Sequence, residues 1–382
     1  MRVVIAPDSF KGSLGSPEVA AALARGWQLG DPDAEVVRLP MADGGEGTLD
    51  ALVGSLGGEV VTLTVEDPLG RPVEAGYGLI PAAPGRPRTA VVEMAAASGL
   101  DHVDPCPESA VAASTYGTGQ LIAAALDAGV GRLVLTLGGS ATTDGGAGMA
   151  EALGVRLLDA DGQPIPRGGA ALGSLAALDL SGLHPGIAAC EVVAGCDVDN
   201  PLHGPRGAAA IFGPQKGADA ATIEVLDAGL RRLGEVCSSA GLAPAEERPG
   251  AGAAGGLGYA AMVFLGAELA SGFDLVADAV GLDEQVAGAD LVITGEGRLD
   301  AQSLAGKTPI GVLRRAQRHG VPVIAVAGDV TEGAAPALEA GMAAAFTIVP
   351  GPVSLADAVA DAEAHLERIG RHVAGVWRAA RG

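Results

Sequence analysis

The feature that most constrains the fold is an alternation of short apolar runs with helical patterns at both ends of the chain. Buried strands are predicted at 3–6, 35–39, 291–294, 323–327 and 345–349. Helices are predicted at 17–30, with Ser16 as N-cap, and at 48–56, 309–319, 332–340 and 355–378. Strands and helices that alternate in this way predict a doubly wound sheet of parallel strands, because each helix returns the chain to the edge where the previous strand began.

The middle of the chain has a different pattern. Residues 61–80 alternate as two strands around a turn at 67–70, which is typical of a β-hairpin. Further strands are predicted at 90–94, 133–137 and 190–194. We therefore expect residues 1–65 and 275–382 to form one doubly wound α/β domain, Rossmann-like or flavodoxin-like, and residues 66–274 to form an inserted second α/β domain. A cleft between two such domains is the default ligand site.

The formal net charge of −22 limits the partners of the protein. Nucleic acid and anionic membranes need a basic surface, so we expect neither as a partner. The apolar runs are far shorter than the roughly 20 residues that cross a bilayer. Cys106, Cys190, Cys196 and Cys237 are scattered, so they predict neither a disulfide framework nor a zinc site, which suits a reducing cytoplasm. In so acidic a chain, an anionic ligand needs the few lysines that lie within glycine-rich loops.

Polar loops follow the first two predicted strands. In open α/β sheets, ligands bind at the carboxyl ends of the strands. The first loop contains Asp8, Ser9 and Lys11, and the second contains Asp43 and Glu46 among three glycines. Solvated loops remain the alternative, but carboxylates and hydroxyls in so flexible a frame favour metal or hydroxyl binding.

A glycine-rich loop, GGSATTDGGAG at 138–148, follows the strand at 133–137 and precedes a helix. Successive N–H groups at such a helix start can form a concave site for an anion, and hydroxyls add donors. The loop therefore predicts a phosphate-binding site without a lysine, whereas a tight turn without a ligand is the alternative. The candidate residues are Gly138, Gly139, Ser140, Thr142, Asp144 and Gly145.

Further charged residues lie in three later loops. Asp197 and Asn200 follow the strand at 190–194, and Lys216 stands in the turn FGPQKG. The third loop contains Glu296, Asp300 and Lys307. Phosphoryl transfer needs carboxylates that hold magnesium and lysines that neutralise phosphate, so these loops favour that chemistry.

The stretch AQSLAGKTP at 301–309 matches the second half of a P-loop. Ala301 stands where the first glycine of the motif should be, and the predicted strand at 291–294 ends several residues too early to lead into it. We therefore expect phosphate binding without a P-loop.

Seven segments together resemble the class I glycerate kinases, in one order along the whole chain. They are APDSFKGS at 6–13, ADGGEGT at 42–48, GGSATTDGGAGM at 138–149, CDVDNPL at 196–202, FGPQKGA at 212–218, GAGAAGGLG at 250–258 and TGEGRLDAQSLAGKTP at 294–309. The resemblance implies an ATP- and Mg²⁺-dependent kinase of D-glycerate with two α/β domains. Resemblance to the bacterial members of this class implies that the phosphoryl group is transferred to the 2-hydroxyl, giving 2-phospho-D-glycerate and ADP. Transfer to the 3-hydroxyl is the alternative. The oligomeric state is not decided by the sequence, and a homodimer is compatible with it.

The roles of single residues follow from chemistry rather than from the resemblance. We expect Asp197, or second to it Asp8, to accept the hydroxyl proton, with Lys11 as the third catalytic residue. Expected substrate contacts are Ser9, Asp43, Glu46, Asn200 and Lys216. Expected nucleotide contacts are the residues of the 138–148 loop given above together with Lys307, and Glu296 and Asp300 are the expected metal ligands.

Two other kinds of function remain open at the level of sequence. One is an enzyme that isomerises or cleaves phosphorylated sugar acids with a carboxylate base, and it would need no ATP. The other is a sensor that binds a small hydroxy acid without turnover. Acids beside lysines in several loops argue against the sensor.

Overall fold

The structure, a computed structural model, describes residues 1–299, 307–330 and 334–381. Its strands are β1 (Arg2–Ile5), β2 (Glu35–Arg38), β3 (Glu59–Glu66), β4 (Pro72–Ile80), β5 (Thr89–Glu93), β6 (Arg132–Thr136), β7 (Arg156–Leu158), β8 (Ala177–Asp179), β9 (Glu191–Gly195), β10 (Glu268–Ala270), β11 (Leu291–Arg298), β12 (Val323–Asp329) and β13 (Ala344–Thr347). Its α-helices are α1 (Ser16–Gly30), α2 (Thr48–Leu56), α3 (Ala95–Ser98), α4 (Pro107–Ala112), α5 (Tyr116–Asp127), α6 (Ala147–Ala152), α7 (Ala208–Phe212), α8 (Ala220–Ser239), α9 (Ala253–Leu265), α10 (Gly272–Ala279), α11 (Leu282–Val286), α12 (Thr308–Arg318), α13 (Ala334–Glu339), α14 (Leu355–Ala360) and α15 (Ala362–Arg381).

The chain divides into two compact units. Unit 1 consists of Met1–Asp43, Asp50–Leu56 and Phe273–Gly382, and unit 2 consists of Gly44–Leu49 and Gly57–Gly272. The expected domain bounds, 1–65 with 275–382 around 66–274, stay a prediction. Strand β3, most of which that prediction placed in the first domain, pairs along its whole length with β4 and therefore belongs to unit 2.

Unit 1 contains a five-stranded sheet in the order β13-β12-β11-β1-β2, and all its pairs are parallel. Apolar residues on both faces explain this, since β1 and the first half of β11 are almost continuously buried. The chain passes from β1 to β2 on one side and later to β11 on the other. The carboxyl ends of β1 and β11 therefore flank a topological switch point, where ligands bind in such sheets.

Unit 2 contains a six-stranded mixed sheet in the order β10-β9-β6-β5-β4-β3. Strands β3, β4 and β5 pair antiparallel, and β5, β6, β9 and β10 pair parallel. The predicted hairpin is confirmed, with a turn in which Gly70 N–H donates to the carbonyl oxygen of Asp67. The α/β prediction for the whole chain is confirmed: a doubly wound parallel sheet is interrupted in sequence by a second α/β unit.

Two details of the sequence prediction are wrong. Ser16 is not the N-cap of α1: Gly15 is, and Ser16 is already helical. Pro17 at the second helical position permits this, because the first four N–H groups of a helix lack intrahelical partners anyway. The helix predicted at 355–378 breaks at Asp361, because α14 buries none of its residues whereas α15 packs an apolar face into the core of unit 1. Among the described residues, no helix is long and apolar enough to span a bilayer.

Candidate active site

The carboxyl edge of the unit 1 sheet encloses a cavity of about 570 Å³. Its lining comes from the loops after β1 and β2, the carboxyl ends of β11 and β12, the residues after β13, α14 and the start of α15. The cavity therefore lies at the switch point between β1 and β11. Six of the residues nominated from the sequence line it. They are Asp8, Ser9, Lys11, Asp43, Glu296 and Lys307.

Asp8 is held in a fixed position at this edge. Its N–H donates to the carbonyl oxygen of Gly295 over 2.8 Å, which continues the pairing of β1 with β11. Its Oδ1 accepts a hydrogen bond of 2.6 Å from Ser9 N–H, and its Oδ2 accepts one of 2.6 Å from the Thr308 hydroxyl. The carboxylate is therefore oriented by neighbours on two sides.

Burial raises the pKa of Asp8 to about 6, and the negative charge of Asp43 adds to this rise. The hydrogen bonds from Thr308 and Ser9 and the charge of Lys11 act in the opposite direction. A carboxyl group with this pKa is ionised at neutral pH and is still basic enough to accept a proton, which suits a general base.

Two lysines bring positive charge to the cavity. Lys11 is exposed in the loop after β1, and Lys307 is the N-cap residue of α12. Helix α12 is 11 residues long, and the positive end of its dipole favours an anion at its N-terminus. The cavity therefore offers an anion both cationic side chains and a helix start, despite the acidity of the chain.

The structure changes part of the argument about the P-loop. Strand β11 ends at Arg298, four residues later than predicted, so the objection that the strand ends too early was wrong. The absence of the first glycine, with Ala301 in its place, is a fact of the sequence. Asp300 and residues 301–306 lie outside the described residues.

The cavity suits magnesium bound together with phosphate. Within the part of the chain that the structure describes, no three His, Cys, Asp or Glu residues are grouped as a metal site. The lining nevertheless includes Asp8, Asp43 and Glu296, and the mutual repulsion of Asp8 and Asp43 would be relieved by a cation. Mg²⁺ commonly binds through one or two carboxylates and completes its shell with water and phosphate oxygens. The residues present therefore fit such an ion.

In unit 2, the glycine-rich loop at 138–148 uses its anion-binding groups internally. The Asp144 carboxylate is fully buried. It accepts hydrogen bonds from Thr115 N–H at 2.8 Å, the Thr115 hydroxyl at 2.9 Å, and the N–H groups of Gly146 and Gly148 at 3.1 Å each. The start of α6 is thus occupied by a carboxylate of the protein itself. Nucleotide binding by this loop stays a prediction, and in the structure Asp144 holds the loop together.

Lys216 is also buried within unit 2, although the sequence nominated it as a substrate contact. Its side-chain Nζ donates to the Ser140 hydroxyl at 2.8 Å and to the carbonyl oxygen of Thr142 at 2.6 Å. Burial lowers the pKa of Lys216 to about 7, and the charge of Asp144 opposes this shift. In the structure its ammonium group fastens the 138–148 loop.

Close backbone packing explains the glycines of this region. A Cβ atom at Gly255 would lie 1.8 Å from the carbonyl oxygen of Thr142, and one at Gly148 would lie 2.1 Å from the Ser114 hydroxyl oxygen. Both distances are far below contact. These two glycines therefore allow segments of unit 2 to touch.

Three other nominated residues also lie in unit 2. Asp197 and Glu46 are exposed, and Asp197 Oδ1 accepts a 3.1 Å hydrogen bond from Gly272 N–H. Asn200 donates from its side-chain nitrogen to the carbonyl oxygen of Arg206 at 2.8 Å. Their expected roles stay predictions.

Sequence reasoning missed Thr308 and Asp329. Thr308 orients Asp8, and Asp329 lines the cavity at the end of β12. The rule that ligands lie at strand ends could have found Asp329, because the predicted strand at 323–327 leads directly into it. Thr308 gave a weaker signal, since it was considered only as part of a P-loop.

The profile of the Glycerate kinase family matches residues 3–378. The chain belongs to the glycerate kinase family. Across 374 residues it is 48% identical to the glycerate kinase of Bacillus subtilis (strain 168), which covers 98% of this chain and 97% of that protein. It is 44% identical over 374 residues to the glycerate 2-kinase of Escherichia coli (strain K12), with the same coverage of 98% and 97%.

A solved structure agrees with this assignment. A crystal structure from Salmonella typhimurium LT2, described as a candidate glycerate kinase 2, matches 100% of this chain and 99% of that one with a TM-score of 0.90 and 45% identity. The resemblance in the seven sequence motifs is therefore confirmed. Members of the glycerate kinase family are kinases, so the protein is an enzyme of that class.

Proposed function

We propose that the protein transfers the γ-phosphoryl group of ATP to the 2-hydroxyl of D-glycerate in the presence of Mg²⁺, giving 2-phospho-D-glycerate and ADP. The observation that carries this proposal is the unit 1 cavity, where Asp8, with a pKa of about 6, lies together with two lysines at the switch point of the sheet. The name of the Escherichia coli relative, glycerate 2-kinase, favours the 2-hydroxyl.

Asp8 is our choice for the group that orients the substrate hydroxyl and accepts its proton. The sequence put Asp197 first. Asp8 now takes precedence because its carboxylate is fixed by Ser9 and Thr308 and its pKa lies just below neutrality. Asp43, Ser9 and the unit 2 residues Glu46 and Asn200 remain our candidates for contacts with the glycerate hydroxyl and carboxylate groups.

Lys11 and Lys307 would neutralise the charge that accumulates on the transferred phosphoryl group and on the leaving phosphate. Phosphoryl transfer depends mainly on positioning and charge stabilisation, so a cation at the N-terminus of α12, as Lys307 is, suits it. Glu296, with Asp300 from the sequence, would hold Mg²⁺, whose chemical contribution when bound is to screen the phosphate oxygens. The 138–148 loop of unit 2, with Gly138, Gly139, Ser140, Thr142 and Gly145, remains our candidate for a further nucleotide contact.

An assay that couples ADP release to NADH oxidation tests this proposal. Wild-type protein should release ADP only when D-glycerate, ATP and Mg²⁺ are all present. Lys11→Met should lower kcat by orders of magnitude without loss of fold, because Lys11 is exposed and removal of its charge affects the transition state most. Asp33→Asn, an exposed change outside the cavity, is the control and should retain full turnover.

The rival functions predict different results in the same assay. An isomerase or lyase would act on its substrate without ATP, and a sensor would bind D-glycerate in a one-to-one ratio without releasing ADP. Near-normal turnover by Lys11→Met would show that Lys11 has no role in phosphoryl transfer.

A further inference from the structure

The cavity of unit 1 has two chemically different sides. Its polar side contains the carboxylates and lysines described above. Its apolar lining includes Phe10 and six residues that are close together in the chain, which we call the apolar wall: Ile348, Val349, Leu355, Ala358, Val359 and Ala362. The six wall residues come from the segment after β13, from α14 and from the start of α15.

Helix α14 has apolar side chains that are exposed rather than packed into the core. None of its residues is buried, and Leu355 is 82% exposed. A six-residue helix is too short to be stable on its own propensity, so its position depends on contacts. The Ser354 side chain caps it by accepting a hydrogen bond from Asp357 N–H, and the Ser13 hydroxyl donates to the carbonyl oxygen of Val359 over 3.1 Å. These contacts hold the apolar side chains at the cavity.

Backbone groups near the wall are already engaged. Ile348 N–H donates to the carbonyl oxygen of Ala327 at 2.9 Å, and Val349 N–H donates to the Thr347 hydroxyl at 3.1 Å. Since the side chains of the wall are apolar, this side of the cavity offers a surface for van der Waals contact rather than a set of hydrogen-bonding groups.

Glycerate does not account for such a surface. It is a three-carbon acid that is polar throughout, whereas a cavity of about 570 Å³ is within the range for larger ligands. A ligand that uses both sides needs an anionic end for Lys11 and Lys307 and an apolar end for the wall. A nucleotide has both, because its phosphates are anionic and its base presents a flat, weakly polar face.

We propose that the apolar wall binds the adenine base of the nucleotide, with the phosphate chain extending toward Lys11 and Lys307. The inference rests on the proposed function for the identity of the phosphoryl donor, and it adds the place and the chemical basis of base recognition. It assigns Leu355 and Val359 as determinants of nucleotide affinity with no part in binding glycerate.

Calorimetric titration of the full-length protein with ADP and with tripolyphosphate, both with Mg²⁺, separates base from phosphate recognition. Leu355→Gln and Val359→Gln change polarity without adding charge, and both side chains are exposed enough for folding to tolerate the change. Each should weaken ADP binding roughly tenfold, which corresponds to about 1.4 kcal/mol, through lost apolar contact. Tripolyphosphate affinity should change by less than about twofold, because that ligand has no base.

Val376→Gln is the matched control. Val376 is 70% exposed on α15 and does not line the cavity, so this variant should bind both ligands like wild type. The inference is overturned if wild type does not bind ADP, if the wall variants bind ADP like wild type, or if they lose ADP and tripolyphosphate affinity equally. Transfer of phosphate from ATP to D-glycerate by wild type decides the proposed function separately.

Discussion

Replacement of Asp144 by Ala should destabilise unit 2 severely. The buried carboxylate accepts three backbone N–H groups, from Thr115, Gly146 and Gly148, in addition to the Thr115 hydroxyl. The variant leaves the three N–H groups buried without an acceptor, at roughly 1–3 kcal/mol each. The expected loss is therefore about 3–9 kcal/mol, a large part of the roughly 5–15 kcal/mol that holds a typical domain folded.

Asp144→Asn is the matched comparison because it keeps the shape of the side chain. Its amide oxygen can take the place of Oδ2, which serves Thr115 and Gly148, whereas the amide nitrogen then faces Gly146 N–H. One buried donor, Gly146 N–H, loses its acceptor, so the free energy of unfolding should fall by about 1–3 kcal/mol. The order of stability should be wild type, Asn variant, Ala variant.

The assay must distinguish the two units, since a protein of two units need not unfold in one step. Trp27 and Trp377 both belong to unit 1, so tryptophan fluorescence in a urea titration follows that unit. Hydrogen exchange of peptides from 115–155 follows unit 2. Loss of protection in these peptides for Asp144→Ala is expected. The reasoning would be refuted if the free energy of opening from hydrogen exchange in Asp144→Ala stayed within about 1 kcal/mol of the wild-type value, or if Asp144→Asn lost more protection than Asp144→Ala.

Three further predictions concern charged groups whose environments the structure defines. Because burial raises the pKa of Asp8 to about 6 and a general base must be ionised, kcat/KM should fall as pH decreases through about 6, and Asp8→Asn should reduce kcat by roughly 10²–10⁴-fold; a pH-independent wild type would contradict this. Burial lowers the pKa of Lys216 from 10.5 to about 7, so between these pH values the unfolded state binds more protons than the folded state. The stability of wild type relative to Lys216→Met should therefore rise with pH in urea titrations, and a difference that stays constant would contradict this prediction. Arg315→Met should destabilise unit 1 by about 1–3 kcal/mol, as followed by fluorescence, because three partly exposed carboxylates, those of Asp274, Asp278 and Asp283, lose their shared cation at roughly 0.2–1 kcal/mol for each pair, whereas the exposed Arg314→Met should have little effect.

The sequence predicted the strands of unit 1 well because parallel strands buried on both faces form continuous apolar runs between glycine-rich loops. Asp8, Ser9, Asp43 and Glu296 follow predicted strands, where ligands bind in open α/β sheets. The structure brings these four residues to one cavity. The order of strands was not predictable from local patterns, because it depends on which edges meet in the folded sheet.

The glycine-rich loop at 138–148 shows where sequence reasoning stops. A loop that binds phosphate and a loop that packs closely need the same residues, since both require small side chains and exposed N–H groups. The tertiary contacts of Gly255 with Thr142 and of Lys216 with Ser140 show the packing role, and nucleotide binding by the loop stays a prediction. A lysine among turn residues likewise gives no sign in the sequence that it is buried.

Phosphorus NMR of the purified protein with ATP, Mg²⁺ and D-glycerate tests the central claim most directly. The proposed function predicts a new phosphomonoester signal that matches 2-phosphoglycerate, with ADP formed in equal amount. A 3-phosphoglycerate signal would contradict the assignment of the 2-hydroxyl while retaining the kinase. ATP that stays intact in the presence of D-glycerate would contradict the proposed function itself.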